Sequence, residues 1–194
     1  MKIAITTSSF ATFSEEPLDL LREAGIEYVL NPHGRKLAPE ETVALLADCD
    51  GGVAGTEELT AAVLDKLPDL KVLSRGGVGM DSVDIPYCKA NGVAVLNTPF
   101  GPTLAVAELT LGLVLDLLRN VTRMDRELRG GTWKKRMGSQ LKGKRVGIVG
   151  FGRIGRAVAD VLRPMGVEIA YADPYPTCTE TTCLELDELM KWAD

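Results

Sequence analysis

Histidine is almost missing from these 194 residues: His33 is the only one. Any site that needs two imidazoles is therefore excluded, and a histidine-dependent catalytic group would have to rely on one residue near the amino terminus. Runs of positive charge are missing too. None exceeds Lys134-Lys135-Arg136, and 27 acidic against 22 basic side chains give a net charge of −5, which argues against a nucleic-acid or anionic-membrane surface. Small anionic ligands stay open. The longest apolar stretch, Leu104 to Leu118, contains Glu108 and Asp116 and falls short of the ~20 residues that span a bilayer. Met1–Thr7 carries one lysine and too short an apolar run for a secretory signal. Cys49, Cys88, Cys178 and Cys183 form no C-x-x-C pair, and Cys178 and Cys183 lack the further ligands of a metal site. Reduced thiols in the cytoplasm are expected, with no metal. There is no internal repeat and no low-complexity tract.

What is present is an apolar share of 45%, enough to bury a core at a length that suits one ordinary domain or two small ones. Short β-branched runs alternate with helical patterns, the signature of an α/β protein with a parallel sheet. Strands are predicted at Ile3–Thr7, Glu27–Leu30, Gly52–Ala54, Lys71–Ser74 and Ala94–Asn97. Helices are predicted at Pro17–Ala24, at Pro39–Ala47 with proline and two glutamates in its first turn, at Thr60–Leu67 before Pro68, and at Asp84–Ala90 closed by Asn91-Gly92. Residues 1–98 thus read as a complete five-strand doubly wound layer, flavodoxin-like, and residues 99–194 as a bridging helix followed by the first part of a Rossmann domain.

The helix Thr103–Arg119 is apolar on almost every face, so it must be covered all round. At 1.5 Å per residue it runs about 25 Å, long enough to bridge two domains or to lie in a subunit interface. The polar stretch Arg129–Ser139 reads as an exposed loop.

A dinucleotide fingerprint follows. Strand Arg145–Val149 leads directly into Gly150-Phe151-Gly152-Arg153-Ile154-Gly155, then helix Arg156–Met165, then strand Val167–Tyr171 and Asp173, 18 residues beyond Gly155. Gly150 permits the turn off the strand, Gly152 lets backbone approach a pyrophosphate, and Gly155 allows close helix–strand packing. The amides of Arg153 and Ile154 point at the anion, aided by the helix dipole. Asp173 accepts the ribose hydroxyls and repels a 2′-phosphate, and nothing basic follows it in Pro174-Tyr175-Pro176-Thr177. The expected cofactor is NAD rather than NADP.

These residues resemble the D-isomer-specific 2-hydroxyacid dehydrogenase family, and within it the D-3-phosphoglycerate dehydrogenase-like group. The resemblance covers the whole chain. Besides the glycine loop it rests on Ser74-Arg75-Gly76-Gly77-Val78-Gly79-Met80-Asp81-Ser82-Val83-Asp84, on Asn97-Thr98-Pro99 with Ala107-Glu108, on Leu141-Lys142-Gly143-Lys144, and on the loop Asn31-Pro32-His33-Gly34-Arg35-Lys36-Leu37. It implies a substrate domain and an NAD-binding domain with the active site between them, and a homodimer helped by the apolar helix. It also implies that backbone amides of Gly77, Val78 and Gly79 hold the substrate carboxylate, that Val106 packs near the cofactor, and that Arg153, Ile154 and Asp173 contact pyrophosphate and ribose. The implied substrate is a small anionic 2-hydroxy or 2-oxo acid.

Arg35 and Lys36 either help hold an anionic substrate or form a solvated charge pair; the latter is favoured. His33 matches no catalytic histidine of the family, and Asp81 and Asp84 have sufficient explanation as turn and cap residues. Many members place an arginine where this chain has Ala54-Gly55, so carboxylate recognition there is expected to rest on backbone donors. The family's catalytic arginine, glutamate and histidine correspond to positions beyond Asp194, and only two strands are identifiable after Lys144. The chain is accordingly expected to be the amino-terminal part of a longer dehydrogenase, inactive by itself. An NAD-sensing interaction module and an inert structural fragment are the competing readings.

Overall fold

A computed structural model describes residues 1–175 and 180–194 and places them in two units, Met1–Gly101 and Pro102–Asp194. Cys178 lies outside the described residues.

In the first unit five strands pair in parallel in the order β2-β1-β3-β4-β5: β1 (Lys2–Ile5), β2 (Glu27–Leu30), β3 (Gly51–Ala54), β4 (Val72–Arg75) and β5 (Ala94–Asn97). This is the flavodoxin-like order expected from the alternating pattern. Successive residues of β1 serve opposite faces. Ile3 and Ile5 pack with Leu18 and Leu21 of α1 (Glu16–Glu23), while Ala4 joins Leu46 of α2 (Pro39–Leu46), Val63 and Leu64 of α3 (Ala61–Leu64) and Cys88 of α4 (Ile85–Ala90). Asp84 caps α4, its carboxylate accepting the Tyr87 N–H at 2.9 Å. The third helix is shorter than predicted. After Leu64 the chain tightens into i→i+3 turns, with the Leu67 N–H donating to Leu64 C=O, and Pro68 prevents continuation.

The second unit opens with α5 (Thr103–Arg119), whose bounds agree with the sequence pattern. Asn120 adopts a left-handed conformation, φ 56°, and turns the chain into α6 (Val121–Arg129). That helix was not anticipated. Its Val121, Met124 and Leu128 have helical spacing, but charged residues dominate between them. Residues 132–140 form an exposed loop pinned by a buried-side ion pair between Arg136 and Glu127 and by the Ser139 N–H on Leu118 C=O at 2.9 Å. A three-stranded parallel sheet follows in the order β6-β7-β8: β6 (Arg145–Val149), β7 (Glu168–Ala172) and β8 (Thr182–Cys183). The two-residue β8 corrects the expectation of only two strands after Lys144; it is too short to carry a periodicity of its own. Between β6 and β7 lies α7 (Arg153–Leu162) with a 3₁₀ turn, Arg163–Met165, and α8 (Leu186–Trp192) packs on the sheet through Leu189.

The apolar helix α5 is covered on one face only. Ala107, Leu111, Val114, Leu115 and Leu118 pack with Val158, Ala159 and Leu162 of α7, whereas Leu104, Leu109, Leu113 and Leu117 are 54–79% exposed. Among the described residues the all-round cover expected from its sequence is not found.

Candidate functional site

The glycine loop between β6 and α7 is built from backbone geometry. Gly150 sits at φ 88°, a conformation open to glycine, and its N–H donates to Ala172 C=O at 2.8 Å. A Cβ on Gly155 would overlap the Gly150 carbonyl, so only glycine lets α7 approach β6 this closely. A Cβ on Gly152 would meet nothing within 4 Å; it would fill the open space in front of the loop, where a ligand's phosphates would come. The helix starts three residues earlier than predicted, at Arg153, so Arg153, Ile154 and Gly155 form its first turn. The amides of that turn have no acceptor within the helix. With the dipole behind them they form an anion-binding end.

Asp173 stands just beyond β7, half-buried. Its Oδ2 accepts the Phe151 N–H at 2.7 Å and its Oδ1 accepts the Tyr175 N–H at 2.8 Å. Those donors, Tyr175 first and Phe151 second, together with nearby Arg156 hold its carboxyl below the usual aspartate range, against a smaller opposing effect of desolvation. A carboxylate has about four acceptor positions, so capacity remains for a vicinal diol. A cavity of about 620 Å³ lies at the carboxyl ends of these strands, lined by Val149, Ala172, Asp173, Pro174 and Cys183–Leu186. Ligands of open α/β sheets bind at that end. The residues present therefore fit a dinucleotide: an open cradle, a helix amino terminus, an acid and a cavity. Val106 is half-buried on the first turn of α5 and is absent from the cluster that packs α5 on α7.

In the first unit, Gly77-Val78-Gly79 follows β4. Gly77 has φ 151°, and a Cβ there would collide with the Arg75 guanidinium. The loop is tied to β5 by the Asn97 side chain, which donates to Val78 C=O at 2.9 Å, and by the Thr98 N–H on Gly77 C=O at 3.1 Å. This is the physical task of Asn97-Thr98. The Gly77 N–H is already used on Arg75 C=O, so among the described residues the open donors of this turn are Val78 and Gly79, and Gly77 serves by shape. Sequence reasoning gave Arg75 no role. Its guanidinium lies against Gly77 with Nη1 on Gly76 C=O at 2.7 Å, and its Nε is buried without a partner. A basic residue directly ahead of the glycine run was the available signal.

The expectation at Ala54-Gly55 changes, and the favoured solvated reading of Arg35 and Lys36 does not. Gly55 does not offer its amide to a ligand, because that N–H is satisfied by Glu57 Oε1 and Oε2 at 3.0 and 3.1 Å. Glu57 is 2% exposed and also takes a short hydrogen bond from the Thr6 hydroxyl. Arg35 is likewise engaged, pairing bidentately with Glu41 at 2.7 and 2.8 Å, while Lys36 lies 3.8 Å from Glu58. Arg35 and the Ala38 N–H bring the Glu41 carboxyl down to about 2. His33 Nε2 is 3.7 Å from the same Glu41. Cys49 and Cys88 are free and buried, which pushes both thiols up, and Cys183 is free and exposed. Among the described residues no group of three or more histidine, cysteine or carboxylate side chains is placed to hold a metal, and no helix is long and apolar enough to cross a membrane.

Against this geometry, residues 3–189 match the profile described as D-isomer specific 2-hydroxyacid dehydrogenase, catalytic domain. Human D-3-phosphoglycerate dehydrogenase is 37% identical over 158 residues, 80% of this chain and 29% of the human protein. A hydroxypyruvate reductase of Thermotoga maritima is 34% identical over 163 residues, 82% of this chain and 51% of that protein. Among solved structures, the TT0316 protein of Thermus thermophilus superposes with a TM-score of 0.90 at 33% identity, covering all of this chain and 63% of its own. An NAD-dependent formate dehydrogenase of Staphylococcus aureus, solved in complex with NAD, superposes at 0.81 with 26% identity, over 100% of this chain and 63% of its own. The chain thus spans between about a third and two thirds of the proteins it is similar to.

Proposed function

The chain belongs to the D-isomer specific 2-hydroxyacid dehydrogenase family, and from that premise we propose that it forms the substrate unit and the first cofactor-binding segment of an NAD-dependent dehydrogenase. The reaction is hydride transfer between NAD and C2 of a small 2-hydroxy or 2-oxo acid, of the phosphoglycerate dehydrogenase-like kind. The observation that carries this reading is the glycine loop with the Asp173 carboxylate beside it, at the mouth of the cavity at the carboxyl ends of β6 to β8.

When bound, the nicotinamide supplies the hydride acceptor or donor. This chain's residues bind and orient. First-turn amides of Arg153 and Ile154 take the pyrophosphate, with Gly150, Gly152 and Gly155 shaping their approach, and Asp173 takes the ribose hydroxyls and disfavours a 2′-phosphate. Val106 packs near the nicotinamide end. On the substrate side Val78 and Gly79 donate to the acid's carboxylate, Gly77 makes room for the Arg75 guanidinium, and that guanidinium adds positive charge beside the turn. The family's proton-shuttling histidine, the glutamate that tunes it and the arginine that polarises the carbonyl match no residue here, so the 194 residues alone bind without turnover. The uncovered leucines of α5 support a homodimer, and the free buried thiols fit the reducing cytoplasm.

Calorimetry of the chain with NAD and NADP tests the cofactor assignment. NAD is expected to bind more tightly, and the reverse preference removes Asp173 as the ribose reader. Absorbance at 340 nm with 3-phosphoglycerate and related 2-hydroxy acids is expected to stay flat for these residues and to rise for a protein that also carries the three catalytic groups. Binding without turnover in that longer protein would favour an NAD-sensing module instead.

A further inference from the structure

Phe151, the residue between the two turn glycines, is held on three sides. Its N–H donates to Asp173 Oδ2 at 2.7 Å, its C=O accepts from Arg156 Nε at 3.0 Å, and its ring, 4% exposed, stacks on the fully buried Tyr171 with centroids 4.1 Å apart and planes 16° apart. The ring and the N–H are thus held by β7 and the residue just past its end. The C=O is held by the fourth residue of α7. The loop's neighbours, Gly150 and Gly152, carry no side chain to hold them, and glycine backbone loses the most freedom on ordering.

We propose that Asp173 is a positioning residue for the phosphate-binding amides, acting through the Phe151 N–H, in addition to its role toward the ribose. This rests on the cofactor reading given above. The carboxylate uses one edge to fix the loop and keeps its remaining acceptor positions for the sugar, so that the sugar and phosphate subsites are set by one group. Arg156 completes the clamp from the helix side. The sign of the effect separates this role from simple electrostatics. Removing a negative charge next to an anion site strengthens phosphate binding if charge alone matters, whereas loosening the loop weakens it.

The test compares ADP with adenosine on the wild-type chain, Asp173→Asn and Asp173→Ala. Adenosine reports the sugar contact, and the ratio of the two affinities isolates the pyrophosphate. The expected result is that Asp173→Ala lowers the ADP-to-adenosine affinity ratio by about tenfold or more, the scale of a lost hydrogen bond to a charged group, with Asp173→Asn in between because it keeps one acceptor oxygen. Amide exchange in the unliganded protein supplies the second reading: the Phe151 N–H is expected to lose protection in Asp173→Ala, with the β6 amides unchanged. An equal loss for both ligands, a rising ratio, or an unchanged Phe151 amide overturns the clamp while the cofactor reading stands. A wild-type chain that binds neither ADP nor NAD overturns the cofactor reading, and the positioning role with it.

Discussion

The two units solve the problem of covering a parallel sheet to different degrees. In residues 1–101 the inner strands β1, β3 and β4 have neighbours on both sides, and apolar clusters line both faces. Even the polar groups at its carboxyl edge are largely spoken for: Glu57 by Gly55 and Thr6, Arg35 by Glu41, the Asn97 side chain by Val78. Among the described residues of 102–194 the strand that carries the glycine loop, β6, has a neighbour on one side only, Val149 is 65% exposed, and one face of α5 is uncovered. A parallel strand is ordinarily buried on both faces. The loop of Gly77 thus leaves an inner strand, β4, whereas the glycine loop of the second unit leaves an edge strand beside an uncovered helix face.

The largest expected effect breaks the first unit. Leu73 is 1% exposed in β4, and Leu73→Ala should cost about 3 kcal/mol through lost burial and a cavity. Amide exchange should then rise across β1, β3 and β4 while β6 and β7 keep their protection; equal loss in both units would show that they do not stand independently. Gly155→Val is the counterpart in the second unit. Its new side chain meets the Gly150 carbonyl and Ile148, an overpacking cost of about 2 kcal/mol, and titration with ADP should detect no binding while the melting of residues 1–101 is unchanged.

These two substitutions also mark what could be read without coordinates. Gly155 is legible because a fixed spacing from strand to acid demands a glycine there, and the strands are legible because buried parallel strands are short β-branched runs. The limits have physical causes as well. A two-residue strand such as β8 has no period, and α6 hides its three apolar residues among six polar and charged positions. Nothing local announces that Glu57 turns inward: its partners, Thr6 and Gly55, are fixed by the pairing of β1 with β3, which brings together residues about fifty positions apart. Arg75 is similar, because its place against Gly77 depends on the turn's φ rather than on composition.

A smaller effect sharpens the contrast in cover. Leu113 and Leu117 are 54% and 79% exposed, so replacing both with glutamate should change unfolding stability by less than about 0.5 kcal/mol. Analytical ultracentrifugation should nevertheless show weaker self-association, and an unchanged sedimentation profile would remove α5 from any subunit interface.

The smallest effect is a pH dependence confined to the first unit. The Glu41 carboxyl, lowered to about 2 from an ordinary 4.5, binds protons less readily folded than unfolded. Its contribution is therefore complete above about pH 4.5 and is lost as the pH falls toward 2. Arg35, raised by the same pair, agrees in direction. Glu41→Gln should flatten the acid limb of the stability of residues 31–41, followed by the side-chain resonances of Arg35, and leave the second unit's acid limb as it was.

The open edge of β6 bears on how the chain is made. All five strands of the first sheet have left the ribosome once residue 101 and a tunnel's length beyond it are synthesised. Translation of residues 102–194 then takes roughly 5–20 s at ~5–20 residues per second. Throughout that interval the leucines of α5, and then the unpaired side of β6, face the crowded cell with a folded neighbour already attached. A mutation that slows the folding of this second unit is therefore expected to lower yield before it affects binding.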